Sequence, residues 1–401
     1  MSLIAWLDTS PGDEQRMREL VHMFSEPGTL DDLGVGQIRD ALSDAMFPGI
    51  TTSHTRARYL LFIPWIFHHA SESASGGDLL EKAHHAERRF ITSMLEGGHT
   101  DGLIGRVNNG QTTVLASSIY WSALYRYRIL RVNRRPNQLH RHSIGVGRFD
   151  EDGDDTAMKE WSIGVPAPLG FPRVVGAGFD LSADEARWLR ERIVGSARDS
   201  YLAHILTSSY RDTRSAAAPW THVSLKDAPA AIGRTVEHGR LASLAVEGAL
   251  LLYHLMVAER YVDFGFARAR TPVEKYRHRL TNWAERVDKS TNPLQDWDLS
   301  ELWGELERVR SSPVEAGTQL FMETWVDHLT RGGAQNAAAS NDMRGLVADR
   351  ERSIKKERSR LTNTERLATW RAPTVTPLTF RWHQARRICN DIIAGIDRAG
   401  T

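Results

Sequence analysis

Apolar positions recur along the chain at the three- and four-residue spacing of an α-helix. Met17, Leu20, Val21 and Phe24 give one such face over 14–25, and Glu26-Pro27-Gly28 stops it. A second stretch runs from Leu33 to Met46 and ends at Pro48-Gly49. A third runs from Thr55 to Ala70, with Thr51-Thr52-Ser53 offering N-cap hydroxyls. Pro64 inside it predicts a kink or break, because proline removes a backbone donor and crowds the preceding turn. A Ser/Gly tract then separates off a fourth helix, Asp78 to Glu96. Ser117-Ser118 caps a fifth, through Tyr127.

After that helix the pattern changes. Asn133, Pro136, Asn137 and Gly145 mark 131–148 as turn-rich. A short helix followed by a turn-rich basic segment reads in two ways. One is a winged helix-turn-helix element with its wing at 137–149. The other is a core helix with a long basic loop. Residues 150–180 are rich in Gly and Pro and make the best domain boundary. Ser182 and Glu185 then form a capping box that opens a new helix. Ala242 to Arg260 is the most apolar stretch. Glu247 and His254 interrupt it, so it reads as a buried core helix rather than the ~20-residue span a bilayer needs. Further helices are expected at 272–288, 314–329, 342–361 and 380–396, with Trp283, Trp297, Trp303 and Trp325 as large core or interface anchors. The expected fold is mostly α: a multi-helix, two-domain protein with units at 1–150 and 181–401 joined through 151–180.

Composition agrees with a globular chain: of 401 residues, 41% are hydrophobic and 25% charged. A single cysteine, Cys389, excludes a disulfide scaffold and a multi-cysteine zinc cluster. The N-terminus lacks the basic-then-apolar pattern of a secretory signal, so a cytoplasmic location is expected.

Net charge is +1, which hides an asymmetry. Residues 1–101 hold eight Lys and Arg against fifteen Asp and Glu. Residues 102–149 hold eight Arg and no acid at all, and the acidic run Asp150-Glu151-Asp152-Gly153-Asp154-Asp155 follows. Arg outnumbers Lys 44 to 7 over the whole chain, which codon usage can produce; the missing acids in one window are harder to explain that way. Guanidinium forks with interleaved aromatics, here Tyr120, Trp121, Tyr125 and Tyr127, suit a phosphate backbone. The bland alternative is a solvated face, or a partner for the acidic run. The candidate phosphate contacts are Arg126, Arg128, Arg131, Arg134, Arg135 and Arg141. A second charged run, 349–360, carries Arg350, Arg352, Lys355, Lys356, Arg358 and Arg360; it reads as a solvated helix face or a second such contact.

No catalytic motif stands out. The chain has no phosphate-binding G-x-x-x-x-G-K-[ST] loop, no H-E-x-x-H and no G-x-S-x-G. His68-His69 and His84-His85 are adjacent pairs, which diverge by about 100° on a helix and do not chelate from one face. Cys389 reads as a buried structural thiol. No cofactor or metal is expected.

Several blocks together resemble a known family: Trp6-Leu7-Asp8, Asp32-Leu-Gly-Val-Gly36 with Ile38-Arg39-Asp40, Phe47-Pro48-Gly49, Thr55-Arg-Ala-Arg-Tyr-Leu-Leu-Phe-Ile-Pro-Trp-Ile66, Ser117-Ser-Ile-Tyr-Trp121 and Phe380-Arg-Trp382. They are similar to an uncharacterised bacterial domain-of-unknown-function family, number six-three-six-one, over nearly the whole chain. The resemblance implies no activity; it implies a setting near mobile-element and phage-defence genes. Within the Thr55–Ile66 block, Tyr59, Phe62, Ile63 and Ile66 share a face, and Arg56 and Arg58 do not. Those arginines either bridge neighbouring helices or join Thr51, Thr52 and Ser53 in binding phosphate.

The leading expectation is a non-catalytic nucleic-acid-binding component of a bacterial defence or mobile-element system, with DNA ahead of RNA and partners from the same operon. The alternatives are a protein-interaction scaffold without nucleic-acid affinity and a divergent metal-dependent nuclease.

Overall fold

The computed structural model describes residues 31–73, 78–106, 114–139, 161–209, 215–266, 271–288 and 292–398. The helix expected at 14–25, most of the wing, and Arg141 lie outside them.

Among the described residues the fold is helical and holds no strand; Leu130 and Trp161 make one isolated antiparallel bridge. In chain order the α-helices are α1 (Gly36–Met46), α2 (Tyr59–Ser73), α3 (Leu79–Glu96), α4 (Ala116–Arg126), α5 (Ala183–Ser196), α6 (Tyr201–Thr207), α7 (Ala230–Asp263), α8 (Thr271–Val287), α9 (Leu299–Arg310), α10 (Ala316–Thr330), α11 (Asn341–Lys355), α12 (Thr364–Ala368) and α13 (Trp382–Asp397).

Helix α7 is the axis. Its apolar stretch is longer than the 242–260 expected, and α1, α8, α10, α11 and α12 all pack on it. By length and composition α7 is able to cross a membrane, yet 89% of its most apolar window is buried against the rest of the protein. Indole N–H groups anchor two neighbours to its backbone: Trp283 of α8 donates to the Leu244 carbonyl (2.8 Å) and Trp325 of α10 to the Ala245 carbonyl (2.9 Å). Gly248 makes this approach possible, because a Cβ there would lie 2.0 Å from the Trp283 ring.

The remaining helices form a second layer. Helices α2 and α3 pair as a hairpin with α4 against α2, and α13 packs on α5 and α6. Helices far apart in the chain are interleaved: α1 sits on α7 and α9, and α13 reaches back to the segment before α2. One apolar cluster contains residues from Leu33 to Ile393, so the units expected on either side of 151–180 share buried surface.

Three local expectations change. Helix α2 begins at Tyr59, not Thr55, and continues through Pro64 without a break. Pro64 is the sixth residue of α2, past the first turn, and its neighbours Ile63, Trp65 and Ile66 are all buried, so packing carries the helix through it. Helix α11 stops at Lys355, because Lys356 takes a left-handed φ of 48° and turns the chain back. The run 349–360 is therefore not one helix, and it is solvated only in part: Arg352, Lys356 and Arg358 are exposed, whereas Arg350, Lys355 and Arg360 turn inward. Arg350 donates to the carbonyls of Leu33 and Gly34, and Arg360 and Lys355 both reach the buried Asp32. Glu351 is fully buried and accepts from Tyr253, Ser359 and the Arg360 backbone. His254 of α7 completes this network at 3.4 Å from Asp32, and burial lowers its pKa to about 4, so it stays neutral. Arg350, Lys355 and Arg360 of this run hold the Asp32-to-Gly36 turn on α7 and α11. The Ser182–Glu185 capping box forms as expected.

Replacing Gly248 by alanine should force α8 away from α7 and cost about 1–3 kcal/mol, read as a lower denaturant midpoint with an unchanged slope.

Candidate nucleic-acid interface

A cleft of about 900 Å³ lies between the C-terminal end of α4, the 48–51 turn and the start of α13. Its walls carry four guanidiniums: Arg126, Arg128 and Arg131 from one side and Arg381 from the other.

Tyr120 of α4 and Tyr127 just after it anchor the segment from Pro48 to Arg56 beside the cleft. Tyr127 donates from its hydroxyl to the Pro48 carbonyl (2.9 Å). Gly49 follows with φ +85°, and a Cβ there would stand 2.9 Å from the Tyr127 ring, so the Phe47-Pro48-Gly49 block needs glycine on two counts. Two turns earlier, the Tyr120 hydroxyl accepts from the backbone N–H of Thr55 (2.7 Å) and Arg56 (3.0 Å). The His54 ring stacks on Tyr120 at 4.0 Å between centroids. Burial lowers the His54 pKa to about 3, which keeps the ring neutral, with Nδ1 accepting from the Thr51 N–H. Thr51 itself lines the cleft, and its Oγ1 is buried without a hydrogen-bond partner.

The N-terminus of α4 is fixed by Glu87 of α3. Its carboxylate accepts from the Ser117 N–H (2.9 Å) and Ser117 Oγ (2.8 Å). Burial outweighs those bonds and raises the Glu87 pKa to about 7. At its other end α4 closes in a Schellman turn, with the Ile129 N–H on the Leu124 carbonyl and the Arg128 N–H on the Tyr125 carbonyl. The residue at the left-handed position of that turn is Arg128, φ 55°, where glycine is the ordinary choice.

The two walls differ in how their charge is used. Arg381 is committed: its Nη1 donates to Asp44 (2.6 Å) and to the Ile50 carbonyl (2.7 Å). Arg126, Arg128 and Arg131 are exposed and make no ion pair among the described residues. The Tyr125 ring beside them is 43% exposed, a large value for a ring on a helix whose other face is core. A smaller recess, sharing Thr51 and Arg381, adjoins the cleft and adds Arg39 and Ser43.

Of the arginines singled out in the sequence, three therefore meet in one cleft. Arg134 and Arg135 lie on the exposed strap after it, which the Trp121 indole holds to α4 through the Arg134 carbonyl (2.7 Å), and they do not line the cleft. Arg141 lies outside the described residues. Arg56 and Arg58 are elsewhere and engaged. Arg58 is 4% exposed and donates to Glu185 (2.7 Å) and to the Gly178 carbonyl. Arg56 donates through Nε to both oxygens of Asp391. Both bridge helices, and neither presents its charge to a phosphate. With α2 starting at Tyr59, Thr51, Thr52 and Ser53 do not cap it.

Sequence reasoning passed over Arg381 and Val309 as cleft residues. Arg381 had a signal, since it is the centre of the Phe380-Arg-Trp382 block; Val309 had none. Among the described residues no group of three or more His, Cys, Asp or Glu is placed to hold a metal. Cys389 is a buried free thiol on α13, its pKa pushed up by burial.

The chain belongs to a family of unknown function, DUF6361, whose match covers residues 1–395. No curated protein and no solved structure matches it.

Because the folded-state pKa of Glu87, about 7, lies above its ordinary value of 4.5, its ionisation opposes folding fully above pH 7, and the penalty fades as pH falls from about 7 to about 4.5. Glu87→Gln should therefore melt higher than the natural protein at pH 8, with the gap closing by pH 5 in thermal scans.

Proposed function

We propose that this DUF6361 member binds nucleic acid through the α4 cleft, with the guanidiniums of Arg126, Arg128 and Arg131 on phosphates and the Tyr125 ring against a base. The observation that supports this best is the placement of three unpaired guanidiniums around one cleft, with one of them held in a left-handed backbone. An L-residue at that position costs about 1–2 kcal/mol relative to a relaxed conformation. The Arg128 side chain is exposed, so packing does not repay that cost. A ligand that needs the charge does.

The arrangement suits a single strand better than a duplex. Guanidiniums that follow a backbone beside a ring that stacks a base are the usual elements of single-strand binding. DNA is taken ahead of RNA. The chain acts as a non-catalytic component, in the defence or mobile-element setting that the family resemblance implies. Among the cleft's lining residues the one carboxylate is Asp44, already bound to Arg381, which leaves no free general base beside the phosphate sites. A helix followed by a basic strap presents these groups without a winged helix-turn-helix, and that finer reading is not needed.

A scaffold role is the second reading. It is favoured by one feature, the exposed apolar residues Leu169 (97%) and Val174 (54%) on the Gly/Pro-rich segment before α5. A stable complex with a neighbouring gene product, lost on Leu169→Asp and indifferent to the cleft arginines, would favour it.

Binding of labelled single-stranded DNA, duplex DNA and RNA should be measured across a salt series. Each phosphate contact contributes about 0.7–0.9 to the slope of log K against log salt. Reversing Arg126, Arg128 and Arg131 to Glu should flatten the slope by about 2–3 and leave the melting temperature nearly unchanged. No binding at low salt would sink the proposal. Arg128→Gly makes a sharper test. It should raise stability by about 1 kcal/mol, because it relieves the left-handed turn, and weaken binding at the same time.

A further inference from the structure

A second cavity, of about 950 Å³, opens beside the middle of α7. Its walls are largely apolar, with Trp220, Leu244, Pro293 and Pro377 among the lining residues. One face of α7 crosses it, because Arg240, Ser243, Leu244 and Glu247 follow the i, i+3, i+4, i+7 spacing of a helix stripe.

Glu247 contributes little to this wall as an acceptor. Its Oε1 is taken by Arg286 of α8 at 2.8 Å, and its Oε2 is closed off by burial. What the wall offers is donors. Arg240 gives Nε and Nη2 to Glu237, an exposed residue that does not line the cavity. The two N–H groups of its Nη1 remain. Arg286 is half exposed and reaches Glu247 through Nη2 alone. Ser243, one turn along the same face from Arg240, is 2% exposed, yet its hydroxyl makes no hydrogen bond among the described residues. A buried hydroxyl without a partner calls for one, and here guanidinium donors flank it. Two guanidiniums line the cavity against one carboxylate that is already engaged, so the missing partner is an anionic acceptor.

We propose that this cavity binds a small organic acid, its carboxylate held by Arg240 and Ser243 and its apolar body laid against Trp220 and Pro377. The guanidinium and the hydroxyl fix the charged end, and the apolar walls supply the burial that a bare carboxylate cannot use. The site is separate from the α4 cleft, with which it shares no lining residue.

Isothermal titration of the full chain with phenylacetate and benzoate, with their primary amides, and with acetate tests this. At least one of the aromatic acids should bind saturably, its amide about tenfold more weakly, and acetate not measurably. Arg240→Gln should weaken the acid about tenfold, and Ser243→Ala about threefold. Ala217 is exposed at the cavity wall. Ala217→Trp should fill the space and abolish binding with no loss of melting temperature. The variant with Arg126, Arg128 and Arg131 reversed to Glu leaves this cavity intact and should bind the acid unchanged, so this proposal and that of the α4 cleft fail separately. Absence of saturable binding, equal affinity for acid and amide, full affinity in both Arg240→Gln and Ala217→Trp, or loss of binding in the cleft variant would overturn the proposal.

Discussion

One polar stripe along α13 ties the C-terminal helix to the segment that leads into α2. Arg381 just before the helix reaches the Ile50 carbonyl, Gln384 reaches the Thr52 carbonyl, and Arg387 pairs with Asp101. Asp391 closes the series on Arg56 and the Ala57 N–H. These positions fall three or four residues apart, so they lie on one helix face. The opposite face carries Ile388, Cys389, Ile392 and Ile393 into the core. The apolar face gives α13 its reason to bury, and the polar stripe fixes its register against the 50–57 segment. Ile50 and Thr51 at the start of that segment, and Arg381 itself, line the basic cleft, so the docked C-terminal helix completes one of its walls.

The same contrast explains why arginine is so abundant yet so unequally placed. Arg56, Arg58, Arg350 and Arg360 are consumed by carboxylates and backbone carbonyls that would otherwise be buried without donors. A planar fork meets several such acceptors at once, which an ammonium cannot do. Removing one partner of such a pair leaves a buried charge, and that is costlier than never having had the pair. Arg126, Arg128 and Arg131 are the reverse case, with exposed guanidiniums that form no ion pair among the described residues. What separates the two groups is the presence of acids on other helices, which charge counting along the chain does not register.

Backbone strain gathers at the cleft. Arg128, Phe380 and Arg381 all have left-handed φ, at 55°, 54° and 64°, and Arg128 and Arg381 face each other across it. Phe380 is pinned by burial and an edge-on contact to Trp220 (6.4 Å between centroids). Arg381 is pinned by Asp44 and Ile50. The strap leading into them, through Thr376, Pro377 and Thr379, lines the second cavity. The two cavities are therefore neighbours along one irregular segment whose conformation side-chain contacts enforce.

The sequence by itself determined the helical class and the position of most helices, because amphipathic spacing, capping residues and Gly/Pro stops are local properties. It also marked the Arg126–Arg131 group, since a window without acids has no local partner for its charge, and the family blocks pointed to DUF6361. It did not determine the fate of Arg56, Arg58 or the 349–360 run. Their partners, Asp391, Glu185 and Asp32, lie more than a hundred residues away in the chain. Nor did it show that Lys356 would end α11, or that Arg381 would stand across from Arg128. Those outcomes were decided by tertiary structure alone, where burial leaves each charge only the partners that packing brings within about 3 Å.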